Sequence, residues 1–166
     1  TINLEKINES QLKITNSRKL IGKAIHDLRY ITKQLGPGDI IKKGFAFGIE
    51  YELQRIKYSK SCETTFCLSG TFFRLSNERE LLVFNILQEL VVDILLLQVS
   101  KLIAKLRYSA EEIDVKIIHK NKIAGFLTKD LINGNIKLNN RLKLIGAKLN
   151  IESSHGIGKI LITIKK

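Results

Sequence analysis

"LIGAKLNIESSHGIGKILITIKK", Leu144 to Lys166, decides the fold. Its opening residues read as the apolar end of a helix stopped at Gly146. Apolar and polar residues then alternate through Leu149 and Ile151, as a strand with one buried face requires. "SSHGIG" (Ser153–Gly158) supplies a turn, with Gly156 and Gly158 as residues able to take positive φ. A second alternating strand follows through Ile160, Ile162 and Ile164. A helix running straight into an ordered hairpin calls for a sheet with helices on one side.

Upstream, the pattern repeats in kind. Residues 3–35 place Leu12, Leu20, Ile21, Ala24, Ile25, Leu28, Ile31 and Leu35 at three- and four-residue spacing, which predicts one long helix stopped by "GPG" at Gly36–Gly38. Some thirty residues at ~1.5 Å each make it ~45 Å long, too long for a small domain to cover, so its apolar stripe predicts a partner helix from a second chain. "FAFGIEYELQRIKYSK" (45–60) reads as a second helix and "CETTFCLSG" (62–70) as a strand. A strongly apolar helix starts near Ser76, whose partner Glu80 sits one place late for a capping box. "VSKLIAKLRYS" and "IDVKIIHKN" pair as strands around "SAEE", and "LNNRLKLIGA" is the last helix. The fold class is therefore α+β: a two-layer α/β sandwich with a mixed sheet, preceded by a long N-terminal helix. The expected division is a helix over 1–37 and a domain over 38–166.

The chain of 166 residues carries a net charge of +12. That charge invites an acidic partner, but it is scattered along the sequence, and no aromatic-basic stacking motif accompanies it, so nucleic acid is not the expected partner. A nucleic-acid binder would need the basic residues gathered on one face. Cys62 and Cys67 are the two cysteines; their spacing of five in an alternating stretch puts them on opposite faces, against a local disulfide or shared metal. Reduced thiols fit a cytoplasmic setting. No secretory leader is expected. "LLVFNILQELVVDILLL" (Leu81–Leu97) is interrupted by Glu89 and Asp93 and is too short and charged for a membrane span, so no membrane contact is expected, although the cytosolic part of a membrane-anchored sensor would read the same way.

Four stretches carry a family resemblance. "AIHDLRYITKQLGP" (Ala24–Pro37) is similar to the end of a dimerisation hairpin, and "KKGFAFGIEYELQRI" (Lys42–Ile56) to the linker and first helix of a catalytic domain. "LLVFNILQEL" (Leu81–Leu90) resembles the start of an N box, and "RLKLIGAKLNIESSHGIGKILITI" (Arg141–Ile164) a closing helix and hairpin. Together they resemble sensor histidine kinases of the NarX/DesK type, bacteroidete-like, with the ATP-binding fold shared by heat-shock ninety chaperones and type II topoisomerases. The resemblance implies the second dimerisation helix plus the catalytic domain. It implies ATP and Mg as cofactors, a homodimer formed through the N-terminal helix, and a response regulator as partner.

It also implies site residues. Glu89 stands where the family has a base, and Asp93 where it has a magnesium-binding Asn. The two are four apart, so they share a helix face. "HKNKIAGF" (His119–Phe126) lies at the first glycine box; Asn121 replaces the adenine-binding Asp, Ile123 replaces a Gly, and Gly125 is retained. "NGNIKLNNR" (Asn133–Arg141) lies at the second, with Gly134 alone, and Gly158 belongs to the closing glycine pair. "IGKAIHD" is similar to the phosphoacceptor pattern and offers His26 as nucleophile with Asp27 beside it. Its nearness to Gly36 instead suits the second dimerisation helix, with the phosphoacceptor helix upstream. Two readings follow. One is an ATP-dependent protein histidine kinase fragment that supports phosphoryl transfer to a His in a dimer. The other is a degenerate kinase-like module with weak or no ATP binding, acting through dimerisation and partner binding.

Overall fold

The computed structural model describes residues 2–32, 35–59, 62–121 and 135–166. The chain divides into two compact units, Thr1–Gln34 and Leu35–Lys166. The first is a single helix, α1 (Ile2–Thr32). Leu12, Leu20 and Leu28 on it are each more than 60% exposed, so these described residues of its apolar stripe are open.

In the second unit, α2 (Pro37–Lys43) and α3 (Phe45–Tyr58) lead to strand β1 (Glu63–Gly70). Helix α4 (Asn77–Leu96) carries the chain to β2 (Val99–Tyr108) and β3 (Glu112–Asn121). Helix α5 (Ile136–Leu144) precedes the closing hairpin, β4 (Lys148–Ser154) and β5 (Ile157–Lys165). The expected α+β architecture is present. The sheet is mixed, in the order β1-β2-β3-β5-β4. β1 runs parallel to β2 and the other three pairs are antiparallel.

The long helix ends before "GPG" as expected, but where the sequence predicts a short linker Pro37 opens a further helix, α2, at a first-turn position, where its missing N–H is no loss. Ser76 does cap α4, its hydroxyl accepting from Arg79 N. Glu80, one place late for the box, has another task. Its carboxylate accepts from Phe45 N at 2.7 Å, Leu75 N at 3.0 Å and Arg74 Nε at 2.8 Å. Arg74 in turn donates to the carbonyls of Ile41 and Lys42 at the end of α2. One buried carboxylate thus pins α2, α3 and α4 together. A second buried acid, Glu52 of α3, accepts from Gln88 of α4 and pairs with Arg55.

Strand faces sort cleanly. Leu102, Ala104 and Leu106 of β2, Ile113, Val115 and Ile117 of β3, and Ile160, Ile162 and Ile164 of β5 face one core. Against them pack Ile49 and Leu53 of α3, Phe84, Leu87, Leu90 and Ile94 of α4, and Leu138 and Leu142 of α5. Two glycines mark the closest approaches. A Cβ at Gly48 would lie 2.6 Å from Ile40 Cδ1 and 2.7 Å from the Phe84 ring, so α3 meets its neighbours backbone-first there. Gly70 has φ +88°, and a Cβ on it would sit 1.9 Å from the Tyr108 carbonyl oxygen. The opposite face of the sheet carries charged side chains.

Candidate functional site

Helix α4 is apolar along most of its length because it lies between the sheet and the other helices. Near its carboxyl end it presents two acids, Glu89 and Asp93, one turn apart. Val99, three residues past α4, pairs with Asn121, the last residue of β3. The end of α4 and the end of β3 therefore share one edge of the sandwich. Residues 122–134 leave from Asn121 and return at Asn135, so both of their anchors lie at this edge.

Asn135 is built to hold that junction. It is the N-cap of α5, where its Oδ1 accepts from Leu138 N at 3.0 Å. Its amide donates to Glu89 Oε1 at 3.2 Å and lies close enough to Asp93 to favour that carboxylate's charged form. Arg141, further along α5, places Nη1 2.5 Å from Glu89 Oε2. Glu89 is thus held by one neutral and one cationic donor. Among the described residues Asp93 has no such cation. Burial and the neighbouring Glu89 charge push its carboxyl above the usual range, while the Asn135 bond pulls the other way.

At the strand end, Asn121 faces inward. Its N–H donates to the Gly156 carbonyl at 2.8 Å, and its Oδ1 lies 2.8 Å from His119 Nδ1. His119 is 1% exposed, and burial holds its imidazole below the ordinary value although the Asn121 bond opposes this. The neutral tautomer with hydrogen on Nδ1 donates to Asn121. Gly158 is directly across the ladder from His119 and is buried beside it. It is a strand residue; the positive φ of the hairpin belongs to His155 and Gly156.

The structure therefore brings Glu89 and Asp93 together on α4, and sets Asn121 beside His119 and opposite the hairpin. Gly125 and Gly134 lie outside the described residues, as does the side chain of His26, which belongs to α1. Two residues of the site were missed by sequence reasoning: Arg141 and Asn135. No local spacing links position 89 with 135 or 141. The N-cap role of Asn135 was open to a helix-start reading. Among the described residues no group of three or more His, Cys, Asp or Glu could hold a metal. Of the two acids on α4 at this edge, Asp93 is the one with no cation among the described residues, and it offers the oxygen chemistry that magnesium takes. Among the described residues no helix is long and apolar enough to cross a membrane.

No described protein family and no curated protein matches the sequence. Solved structures do resemble the chain. The histidine kinase AdeS of Acinetobacter baumannii is 12% identical, with a TM-score of 0.57 over 92% of this chain and 82% of that one. The histidine kinase domain of the Erythrobacter litoralis blue-light activated histidine kinase EL346 is 13% identical, with a TM-score of 0.53 over 93% of this chain and 84% of that one. At such identity the likeness establishes the fold: this chain has the α+β sandwich seen in these histidine kinase structures.

Proposed function

We propose that the chain is a sensor histidine kinase fragment of the NarX/DesK type, with a dimerisation helix over 1–37 and an ATP-binding catalytic domain over 38–166. The observation that carries this reading is the placement of Glu89 and Asp93 on one face of α4, tied by the Asn135 amide, at the edge where residues 122–134 leave and return. In this reading Asp93 supplies an oxygen to magnesium and Asn121 meets the adenine amino group. The backbone at Gly125, Gly134 and Gly158 approaches the nucleotide, and Glu89 assists the transfer. Bound magnesium would neutralise triphosphate charge that Asp93 otherwise repels. The exposed stripe of α1 supports a homodimer, with His26 as a candidate acceptor and a response regulator as the next partner. The setting is cytoplasmic, without membrane contact by this part.

A second reading has one observation in its favour. Arg141 already occupies the carboxylate that the transfer would need. A degenerate module, binding nucleotide weakly or not at all and acting through its dimer and partner surfaces, would keep this pair as a structural link. Thermal melting with a non-hydrolysable ATP analogue, with and without magnesium, separates the two. A magnesium-dependent rise supports the kinase reading by linkage, and no rise at millimolar analogue supports the degenerate one.

A further inference from the structure

The face of the sheet turned away from the helices is laid out by the β2–β3 register. Lys101 is opposite Lys120, Ile103 opposite Ile118, and Lys105 opposite Lys116. All four lysines are exposed and both isoleucines are partly exposed. Like charges directly opposite one another destabilise a strand pair, and here the arrangement occurs twice in five residues of ladder. Two other cations on this face have acids: Arg107 pairs with Asp114 at 2.6 Å and Lys159 lies 4.0 Å from Glu152. The four central lysines form no ion pair among the described residues.

The result is a floor of two isoleucines, continued by Thr65 on β1 and Lys159 on β5, walled on both sides by ammonium groups. Lys101 and Lys105 are four residues apart on one strand, so at ~3.3 Å per residue the two walls stand about 13 Å apart. An α-helix with its side chains is about 10–12 Å across and fits between them. We propose that this face docks an acidic amphipathic helix of a partner protein, its apolar stripe on Ile103 and Ile118 and its carboxylates against the two lysine pairs. The charge selects the partner. A second copy of this chain has no acidic helix to offer this face: its one long exposed helix, α1, has six Lys and Arg against three acids. A phosphate backbone would gain nothing from an isoleucine pair, and no aromatic side chain lies between the lysines to stack a base. A lipid surface would need apolar side chains that protrude, whereas Ile103 and Ile118 sit at the foot of longer lysines. The inference holds whether or not the chain binds ATP.

The test uses the whole chain and a fluorescein-labelled synthetic helix with Leu on one face and Glu on the other, followed by anisotropy. Binding is expected. Lys105→Glu with Lys116→Glu should weaken it about tenfold or more, while Lys57→Glu on α3 leaves it unchanged. Melting curves confirm that each variant folds. Lysine acetylation of the unaltered chain gives an independent reading: the peptide should slow modification of Lys105 and Lys116 but not of Lys57. The proposal is overturned by absent peptide binding, by equal binding of a peptide with the same composition in scrambled order, or by unprotected lysines. Tighter binding to a DNA duplex or to phosphatidylserine vesicles than to the peptide also overturns it.

Discussion

Glu89 Oε2 stands 2.5 Å from Arg141 Nη1, so the Glu89 carboxylate is neutralised by the helix that follows residues 122–134. The pair is partly open to solvent, with the arginine side chain 40% exposed, so its contribution to stability is small. Arg141→Ala should cost less than about 1 kcal/mol in urea unfolding. It should also free Glu89. If the nucleotide reading holds, the melting shift produced by an ATP analogue with magnesium will change in this variant; an identical shift would disconnect Arg141 from the site.

Asp93→Asn should stabilise the chain at neutral pH. The carboxyl of Asp93 is pushed up by burial and by Glu89, so its contribution is favourable only while it is protonated and is lost as pH rises through its folded value. Asparagine removes that charge. A small gain is expected at pH 7, reduced by solvent screening and vanishing at low pH where both side chains are neutral. Melting at the two pH values checks it.

His119 imposes a pH dependence of the opposite kind. Its folded value is below that of the unfolded chain, chiefly through burial. Neutral His119 contributes fully above the unfolded value near 6.5 and loses that contribution as pH falls below it. Melting temperature should therefore fall from pH 7 to pH 5. His119→Gln, which cannot be protonated, should flatten that part of the profile; an unchanged slope would assign the dependence to other groups.

Lys105→Glu turns a like-charge pair opposite Lys116 into an attractive one. The expected gain is about 0.2–1 kcal/mol, reduced by added salt. A substitution that stabilises the fold while weakening the acidic helix would show that the lysine pair is retained for contact and not for the sheet.

Glu80→Ala should be the most damaging of these changes. It strands the N–H groups of Phe45 and Leu75 and leaves Arg74 without its acid. A loss of about 3 kcal/mol is expected in urea unfolding, with little recovery in Glu80→Leu, because neither residue can accept those bonds.

Much of the fold was legible because it is written in periodicity. The alternation around Ile160 and Ile162 and the start of α4 at Ser76 needed only neighbours in sequence. α2 escaped because Pro37 serves as both a helix stop and a helix start, and only the packing of Ile40 in the core decides which. The site was less legible. Glu89 and Asp93 could be paired by their four-residue spacing. Arg141 could not, since it meets Glu89 through tertiary packing of α4 on α5. The two lysine rows were hidden for the same reason: scattered in sequence, they line up only when the β2–β3 register is known.

Gly70, with its φ of +88° and the Tyr108 oxygen where a Cβ would be, acts as a steric gate on sequence change. A side chain there would force apart the last rung of the parallel pair, so substitution at this position is blocked by sterics whatever the chain binds. A saturation library at position 70, selected for folding alone, should return glycine; free acceptance of alanine or serine there would show that the rung can yield.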